Sequence, residues 1–562
     1  MGNIAAVATH QVFNVPAPWA GVDLSSADRA LTATLAAAGV AGEELARLAD
    51  LGRQAGSPEA QEQARLANEY PPVLRSHDRY GHRIDEVEFH PAWHELMRTS
   101  VGAGLHAAPW ADPSPTAHLA RAAGFYVRAQ VEQGHGCPVS MTYAVLPALR
   151  HSPELAADFE PGLTSLDYDP GLRAPAGKAG LLAGMAMTEK QGGSDVRANT
   201  TRAVRTADGS YAITGHKWFC SAPMCDLFLV LAQAEAGLSC FLVPRVLPDG
   251  SRNPFALQRL KSKLGNRSNA SSEVEFDGTT GWLVGAEGRG VRTILEMVSM
   301  TRLDCVIGSA AVQRAALTQA LHHVHGRDAF GVRLADQPLM QEVTADLAVE
   351  VQAAAALFTR LATAVDRAET PLLRLAVAAG KYWVCKRTPT VVGEALECLG
   401  GAGYVEESPL PRYYRESPLN SIWEGSGNVI ALDVVRAAVR EPEAVQALQD
   451  ELALTAGADP RLDAATDRLA KRLAGLGADP DADARSAREL AGLLARTLQG
   501  ALLVRAANRP GAEPGAGAVA EAFLASRLGA GREDREHAGA GLGRAGCAAV
   551  LDYSDQSPRN ST

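Results

Sequence analysis

Two glycine-bearing blocks, some 235 residues apart, constrain this chain more than any other feature. One is Trp423-Glu424-Gly425-Ser426-Gly427-Asn428, a carboxylate beside an indole and followed by two glycines. The other is Met187-Thr188-Glu189-Lys190-Gln191-Gly192-Gly193-Ser194-Asp195. Glycine lets a backbone approach a ligand closely. A carboxylate against an aromatic wall can be desolvated and its pKa raised, as a general base near neutral pH requires. Together the blocks place a base next to a flat cofactor. They flank a long helical region, so only a large fold brings them together.

At 562 residues the chain exceeds one core, and two to four domains are expected. Residues 1–181 read as an N-terminal helical domain, with Ala-rich amphipathic stretches such as Ala27 to Leu51. Residues 182–290 read as a middle β domain. Asp208-Gly209 is a hairpin signal between Thr200–Thr206 and Tyr211–Thr214. Leu227–Ala232, Ser239–Val243 and the alternation of Val274 with Phe276 supply further strands. Residues 291–440 return to long helices, among them Val312–Val324 and Leu339–Ala364, interrupted by a loop at Gly400-Gly401-Ala402-Gly403. Residues 441–562 form a further helical unit in which Leu490, Leu493, Leu494, Leu498 and Leu502 share a face. Asn508 to Gly517 reads as a linker, and the last ten residues or so as disordered. The fold class is therefore mainly α with an inserted β domain.

Composition narrows the function classes. Hydrophobic residues make up 46% and charged residues 21%, a soluble globular profile, and no apolar run reaches bilayer-spanning length. The opening MGNIAAVATH has neither the basic nor the apolar region of a secretory signal, and no Ser or Thr at position 6 for myristoylation. Eight scattered cysteines without a CxxC pattern point to reduced thiols in a cytoplasmic protein, with no zinc or disulfide framework. A net charge of −10 exerts no global pull on nucleic acid.

Each motif has a functional and a structural reading. Gly192, Gly193 and Ser194 can cradle a phosphate or a ring edge, or simply turn the chain before a strand. Gly215-His216-Lys217-Trp218-Phe219-Cys220-Ser221 can wall a planar cofactor, or be a strand with core aromatics. Arg327, followed by Phe330, Gly331 and Gln337, can clamp a pyrophosphate or sit solvated at a helix end. Glu424 is either the base or a surface-loop carboxylate. Two motifs are dismissed. Gly541-Leu542-Gly543-Arg544-Ala545-Gly546 spells GxGxxG but follows no strand. His322, His323 and His325 lack a carboxylate or cysteine at metal spacing and read as a helix end.

Taken in order, MTEKQGGSDV, GHKWF, LSCF, LPDG, LKSKLGNRSNAS, PLMQ, ECLGGAGY and YRESPLNSIWEGSGN resemble the acyl-CoA dehydrogenase family of flavoproteins over residues 10 to 440. VFNVPAPW, FHPAWHELM and the helical extension after 440 resemble its AidB-like, alkylation-response subfamily. The resemblance implies a helical N-terminal domain, a middle β-barrel-like domain, a helical bundle and a fourth helical domain. It also implies non-covalent FAD and a homotetramer whose neighbouring subunits complete each flavin site. Met187, Thr188, Gly193, Ser194, Phe219 and Ser221 would line the isoalloxazine and ribityl chain, with Ser221 near N5, where the family more often has Thr. Trp423 would flank the base. Arg327, Phe330 and Gln337 would reach a neighbour's FAD. Glu397, Gly400 and Gly401 would border its pyrophosphate or adenine, with Glu397 where the family more often has Gln. Ser426 and Asn428 would touch the adenine side. Glu424 would take an α proton from an acyl-CoA while hydride leaves the β carbon for the flavin.

Three functions follow. The first is a working FAD-dependent acyl-CoA dehydrogenase with a role in the response to DNA alkylation. The second is a protective flavoprotein that binds double-stranded DNA and has little dehydrogenase activity. The third is a catalytically silent scaffold stabilised by FAD. The subfamily places DNA contacts near Arg436 and in the C-terminal domain, where Arg468, Lys471 and Arg472 lie on adjacent turns. Residues 441–562 nevertheless hold 14 Lys plus Arg against 18 Asp plus Glu, and phosphate binding needs clustered cations.

Overall fold

The computed structural model describes residues 9–529 and 541–554. Helices come first. The Ala27 to Leu51 stretch is two helices, Arg29–Ala37 and Gly42–Ala55. Asp28 caps the first by accepting from the Leu31 amide, and Gly39, at φ 83°, turns the chain between them. This region also holds an antiparallel hairpin that its sequence did not announce, β1 (Val73–His77) and β2 (Arg83–Glu88). Its burial alternates weakly, so it carries little period-2 signal.

The strands β3 (Ala183–Ala186), β4 (Arg202–Arg205), β5 (Tyr211–Ser221), β6 (Leu227–Ala234), β7 (Gly237–Pro244), β8 (Phe255–Leu260) and β9 (Ser271–Val284) form one sheet. β4 pairs antiparallel with β5, as the Asp208-Gly209 signal requires. β5 pairs with β9, β9 with β7, β7 with β6, and β6 touches β4 in parallel. The pairing returns on itself, giving a barrel-like closure. Ile213, Phe228, Phe241 and Phe276 fill its interior against the helix Gly136–Leu149.

Beyond the sheet run Gly290–Gly326, Pro338–Asp366 and Thr370–Cys398, helices of 37, 29 and 29 residues. Pro338–Asp366 and Pro480–Ala507 are long and apolar enough to cross a membrane, against the expectation from apolar runs. Their most apolar windows are 78% and 83% buried inside the protein, so they are packed as core helices. Gly401–Tyr404, expected as loop, is a short helix entered through Gly400 at φ 59°, ψ −140°. The expected linker 508–517 shrinks to 508–513, because Pro514–Phe523 is helical. The C-terminal helices share one hydrophobic core with the bundle, and Leu490, Leu494 and Leu498 are buried in it. Arg527 welds the two together by bonding Asp346 at 2.7 Å and Glu350 at 3.0 Å. The final eight residues, expected to be disordered, lie outside the described residues.

Candidate active site

The glycine-rich block is tied to β5 from below. The β5–β9 register slips between Lys217 and Cys220, and such a bulge re-aims the side chains around it. Lys217 turns inward and meets Glu189 at 3.0 Å, both side chains wholly buried. The Trp218 amide leaves the ladder for the Thr188 carbonyl, 2.8 Å away. Glu189 also accepts from the Thr200 amide (2.7 Å), the Thr201 amide (3.1 Å) and Gln191 Nε2 (2.7 Å). Burial opposes its ionisation, but the Thr200 amide, Thr201 and the Lys217 ammonium outweigh that and hold the carboxyl well below its usual range. Burial pushes Lys217 down to about 8. The loop Gln191–Ser194 is thus stretched over a satisfied ionic hub. A Cβ on Gly193 would lie 2.4 Å from Thr188 Oγ1, while one on Gly192 would meet nothing within 4 Å. The loop is packed on one side and open on the other, as a cofactor cradle must be. Phe219 is half exposed beside it, with Lys261 Nζ 4.5 Å from its ring centre.

Glu424 sits in the turn that leads into the helix Gly427–Arg440. Its φ is 56°, in the left-handed region that non-glycine residues avoid, and Gly425 follows at 104°. Such backbone costs about 1–3 kcal/mol and persists only where neighbours impose it. The neighbours are cations on two helices. Arg302 Nε donates to the Glu424 carbonyl at 3.0 Å. Lys381 Nζ donates to the carbonyls of Gly425 (2.8 Å) and Asn420 (2.9 Å). Asp433 fixes Arg302 at 2.9 Å and also accepts from Arg374 at 3.0 Å. Trp423 Nε1 donates to Asn420 Oδ1 at 2.8 Å. The carboxylate itself accepts from Thr301 Oγ1 at 2.8 Å. Burial raises its pKa, and Thr301, Lys381 and Arg302 pull it back only in part. A carboxylate of raised pKa is a stronger proton acceptor than an exposed one. Cys137 connects the two halves of the site, since its thiol feels both Ser221 and Glu424. Burial pushes that thiol up to about 12, so it is a neutral wall.

Of the residues expected at the site, Met187, Thr188, Gly193, Ser194, Phe219, Ser221, Trp423 and Glu424 belong to these two halves. Ser426 and Asn428 follow at the start of the helix Gly427–Arg440, which has no side-chain cap. Arg327, Phe330 and Gln337 form a separate group. They sit on a small hairpin, β10 (Asp328–Ala329) and β11 (Val332–Arg333), where Gln337 Nε2 bonds the Ala329 carbonyl at 3.1 Å. Arg327 donates to the Asn14 carbonyl at 2.8 Å. Phe330 is 99% exposed at φ 54°. Thr301 and Arg327 lie at 1.5 Å per residue about 39 Å apart along one helix, so the two groups are far apart within one chain. Glu397 and Gly400 are exposed at the end of the helix Thr370–Cys398, with Gly401 just beyond. Sequence reasoning missed Thr301, Arg302, Lys381 and Asp433 as the groups that hold Glu424 and its turn. They lie inside long helices and carry no local signature.

Of the residues read as DNA contacts, Arg436 faces Asp433 at 3.6 Å and Arg472 faces Glu489 at 3.8 Å. Lys471 is exposed and Arg468 half-buried. At the GxGxxG motif, the amides of Leu542 and Gly543 already bond the Glu342 carboxylate, which occupies the place of a phosphate. His322 Nε2 donates to the Ala17 carbonyl, 2.6 Å away, tying the end of its helix to the N-terminal segment. Among the described residues no acid, His and Cys cluster suits a metal, and all eight cysteines are buried and free. Ser100, His135 and Glu132 form a hydrogen-bonded row (3.0 and 2.9 Å) like a hydrolase triad, but all three are at most 2% exposed and admit no substrate.

A cavity of about 1020 Å³ runs along the first half of the helix Gly290–Gly326. Arg197 and Arg292 line it with Leu238, Leu295 and Met300, and Arg374 closes the wall. Through Arg374, Asp433 and Arg302 this wall is hydrogen-bonded to the backbone of Glu424.

Three family models match the chain in series: the adaptive response protein AidB N-terminal domain over residues 14–170, the acyl-CoA dehydrogenase middle domain over 184–279 and its C-terminal domain over 288–439. The chain is 48% identical over 471 residues to a protein of Escherichia coli K12 described as putative acyl-CoA dehydrogenase AidB, covering 83% of this chain and 87% of that one. Its fold is similar to Caenorhabditis elegans ACDH-11, solved in complex with C11-CoA, with a TM-score of 0.85 at 26% identity, covering 93% and 94% of the two chains. The fold also matches a Bacillus anthracis acyl-CoA dehydrogenase solved with FAD, at a TM-score of 0.64 and 18% identity over 83% and 82% of the chains. With the paired cradle and base in place, the chain is a member of the acyl-CoA dehydrogenase family, of the AidB type.

Proposed function

We propose that the chain is an FAD-dependent dehydrogenase that introduces a double bond between the α and β carbons of an acyl-CoA. The observation that carries this reading is Glu424: a carboxylate of raised pKa, on a backbone turn imposed by Arg302 and Lys381, beside Cys137 and Ser221 of the opposite half. The open glycine loop, the half-exposed Phe219 and the uncapped helix at Ser426 fit a planar, phosphate-bearing cofactor. When bound, the flavin supplies the hydride acceptor. Glu424 takes the α proton, and Thr301 orients it by donating to Oε2. Cys137 keeps water and charge from the gap between them. Arg197, Arg289 and Arg292, with no carboxylate partner among the described residues, line the cavity and suit the phosphates of CoA. Leu238, Leu295 and Met300 suit its apolar arm.

The Arg327 group serves the flavin of another copy in this reading, and the family resemblance makes the working unit a homotetramer. Its distance from Thr301 and the bare Phe330 support that arrangement. A role in the response to DNA alkylation rests on the similarity to AidB. The pairing of Arg436 and Arg472 with acids supports placing the chemistry at the flavin and not on a DNA-binding face.

The test is direct. The yellow protein is mixed anaerobically with a panel of acyl-CoAs, and loss of the flavin colour is followed. DNA retention is measured in parallel at low and raised salt. Bleaching by at least one thioester is expected. No bleaching, with steeply salt-dependent DNA retention, would replace this reading with the protective one.

A further inference from the structure

Lys263 is a cation without an anion. It lies in the turn between β8 and β9, partly buried. Its Nζ donates to the Asn269 carbonyl and, at 3.0 Å, to Ser271 Oγ. Among the described residues no carboxylate pairs with it. Ser271 Oγ lies 3.5 Å from Ser221 Oγ, the hydroxyl that the family resemblance sets near flavin N5; this inference rests on the proposed function. An ammonium is expensive to bury unless a negative group nearby repays its desolvation.

We infer that Lys263 is a positioning cation for the flavin reaction, which through Ser271 and Ser221 compensates the charge that dehydrogenation delivers to the flavin. The charge balance of the reaction requires such a group. The substrate loses a proton to Glu424 and a hydride to the flavin, and its own charge is unchanged. Glu424 becomes neutral, and the flavin gains one negative charge. The charge therefore crosses the site from the side held by Arg302 and Lys381 to the side of Ser221. Lys217 and Lys261 on that side are paired with Glu189 and Glu273, whereas Lys263 is a partly buried ammonium there with no carboxylate partner among the described residues.

The groups facing Lys263 do not neutralise it by contact. Cys137, from the helix Gly136–Leu149, is a neutral thiol. Glu416 accepts from the Asn266 amide (2.6 Å) and Asn266 Nδ2 (2.8 Å), and burial raises it to about 7. Glu132 is ionised but committed to His135, Ser268 and Asn68. Burial accordingly brings Lys263 down to about 8, a value that a new neighbouring charge would raise.

The experiment uses the FAD-loaded enzyme with Lys263→Met and Lys263→Arg. Three quantities are read: FAD content, the dissociation constant for sulfite, which adds to oxidised flavin as an anion, and the two-electron midpoint potential. Lys263→Met should keep FAD, bind sulfite at least tenfold more weakly, and shift the reduction equilibrium about tenfold, ~30 mV for two electrons. Lys263→Arg should stay close to wild type in both. A yellow Lys263→Met with unchanged sulfite affinity and potential overturns the assignment alone. A wild type that stays colourless in excess FAD overturns the flavin reading and this inference with it. Should Lys263→Met fail to fold, proton uptake during reduction of the wild type decides. One proton per flavin is expected at pH 7, approaching two at pH 9 as Lys263 reprotonates beside the new charge. A constant single proton across that range overturns it.

Discussion

Arg302 holds the backbone of Glu424, its Nε donating to the carbonyl of that residue at 3.0 Å, while the carboxylate at the other end of the same residue accepts from Thr301 Oγ1 at 2.8 Å. Arg302→Leu removes the donor and frees a turn whose φ of 56° is unfavourable by itself. A release of about 1–2 kcal/mol lowers the rate of flavin bleaching roughly 5- to 30-fold. FAD content should be unchanged, and stopped-flow reduction at saturating acyl-CoA separates the rate from binding.

Glu424→Gln keeps the shape of the site and removes the proton acceptor. The loss of a general base is expected to slow bleaching by about 10²–10⁴-fold, with the yellow colour retained. In the wild type the rate should rise with pH through a limb above the ordinary carboxylate range, because burial raises the pKa and only the ionised form takes the proton. A bleaching rate independent of pH from 4 to 8 would remove Glu424 from that role.

The Glu189–Lys217 pair makes a sharper stability test than any surface ion pair. Both side chains are wholly buried, so removing one partner strands the other charge. Lys217→Met should destabilise the protein by about 3–5 kcal/mol and release FAD, since Glu189 carries the amides that shape the Gln191–Ser194 loop. Lys217→Met with Glu189→Leu should recover much of the stability but not the FAD. Urea midpoints and flavin absorbance read the two separately.

Glu416 makes stability depend on pH. Its pKa in the folded protein is about 7 against an ordinary 4.5, owing first to burial. Its contribution is fully present below about pH 4.5 and is lost as pH rises through 7. On the order of 3 kcal/mol is at stake across that window. Glu416→Gln should flatten the urea midpoint between pH 5 and pH 8. An unchanged pH dependence would show that the carboxyl titrates normally.

Phe330 is bare in the single chain, and a fully exposed aromatic at positive φ has no reason to persist there alone. Phe330→Asp should shift the protein to smaller assemblies in sedimentation and lower its FAD content, leaving the urea midpoint of the subunit within about 0.5 kcal/mol.

The long helices, the Asp208-Gly209 hairpin and the two glycine blocks could be read directly, because periodicity, turn residues and glycine act over a few neighbours. The β1–β2 hairpin could not, since its alternation is weak, and neither could the short helix at Gly401, whose glycines read as a break. At the site, Glu424 and Ser221 were legible as residue types in unusual local company. Their supports were not. Thr301, Arg302, Lys381 and Asp433 look like ordinary polar positions in amphipathic helices.

The sequence by itself determined which residue types stand together in local blocks: a carboxylate beside an indole, a glycine loop and a small hydroxyl. Only the tertiary structure decided the state in which they work. It placed Glu424 on a strained turn, buried Lys217 against Glu189, left Lys263 without a counter-charge and set Arg327 a helix-length from the base. The reason is that burial, charge pairing and positive φ are produced by groups distant in the chain, and no local pattern records which of them will meet.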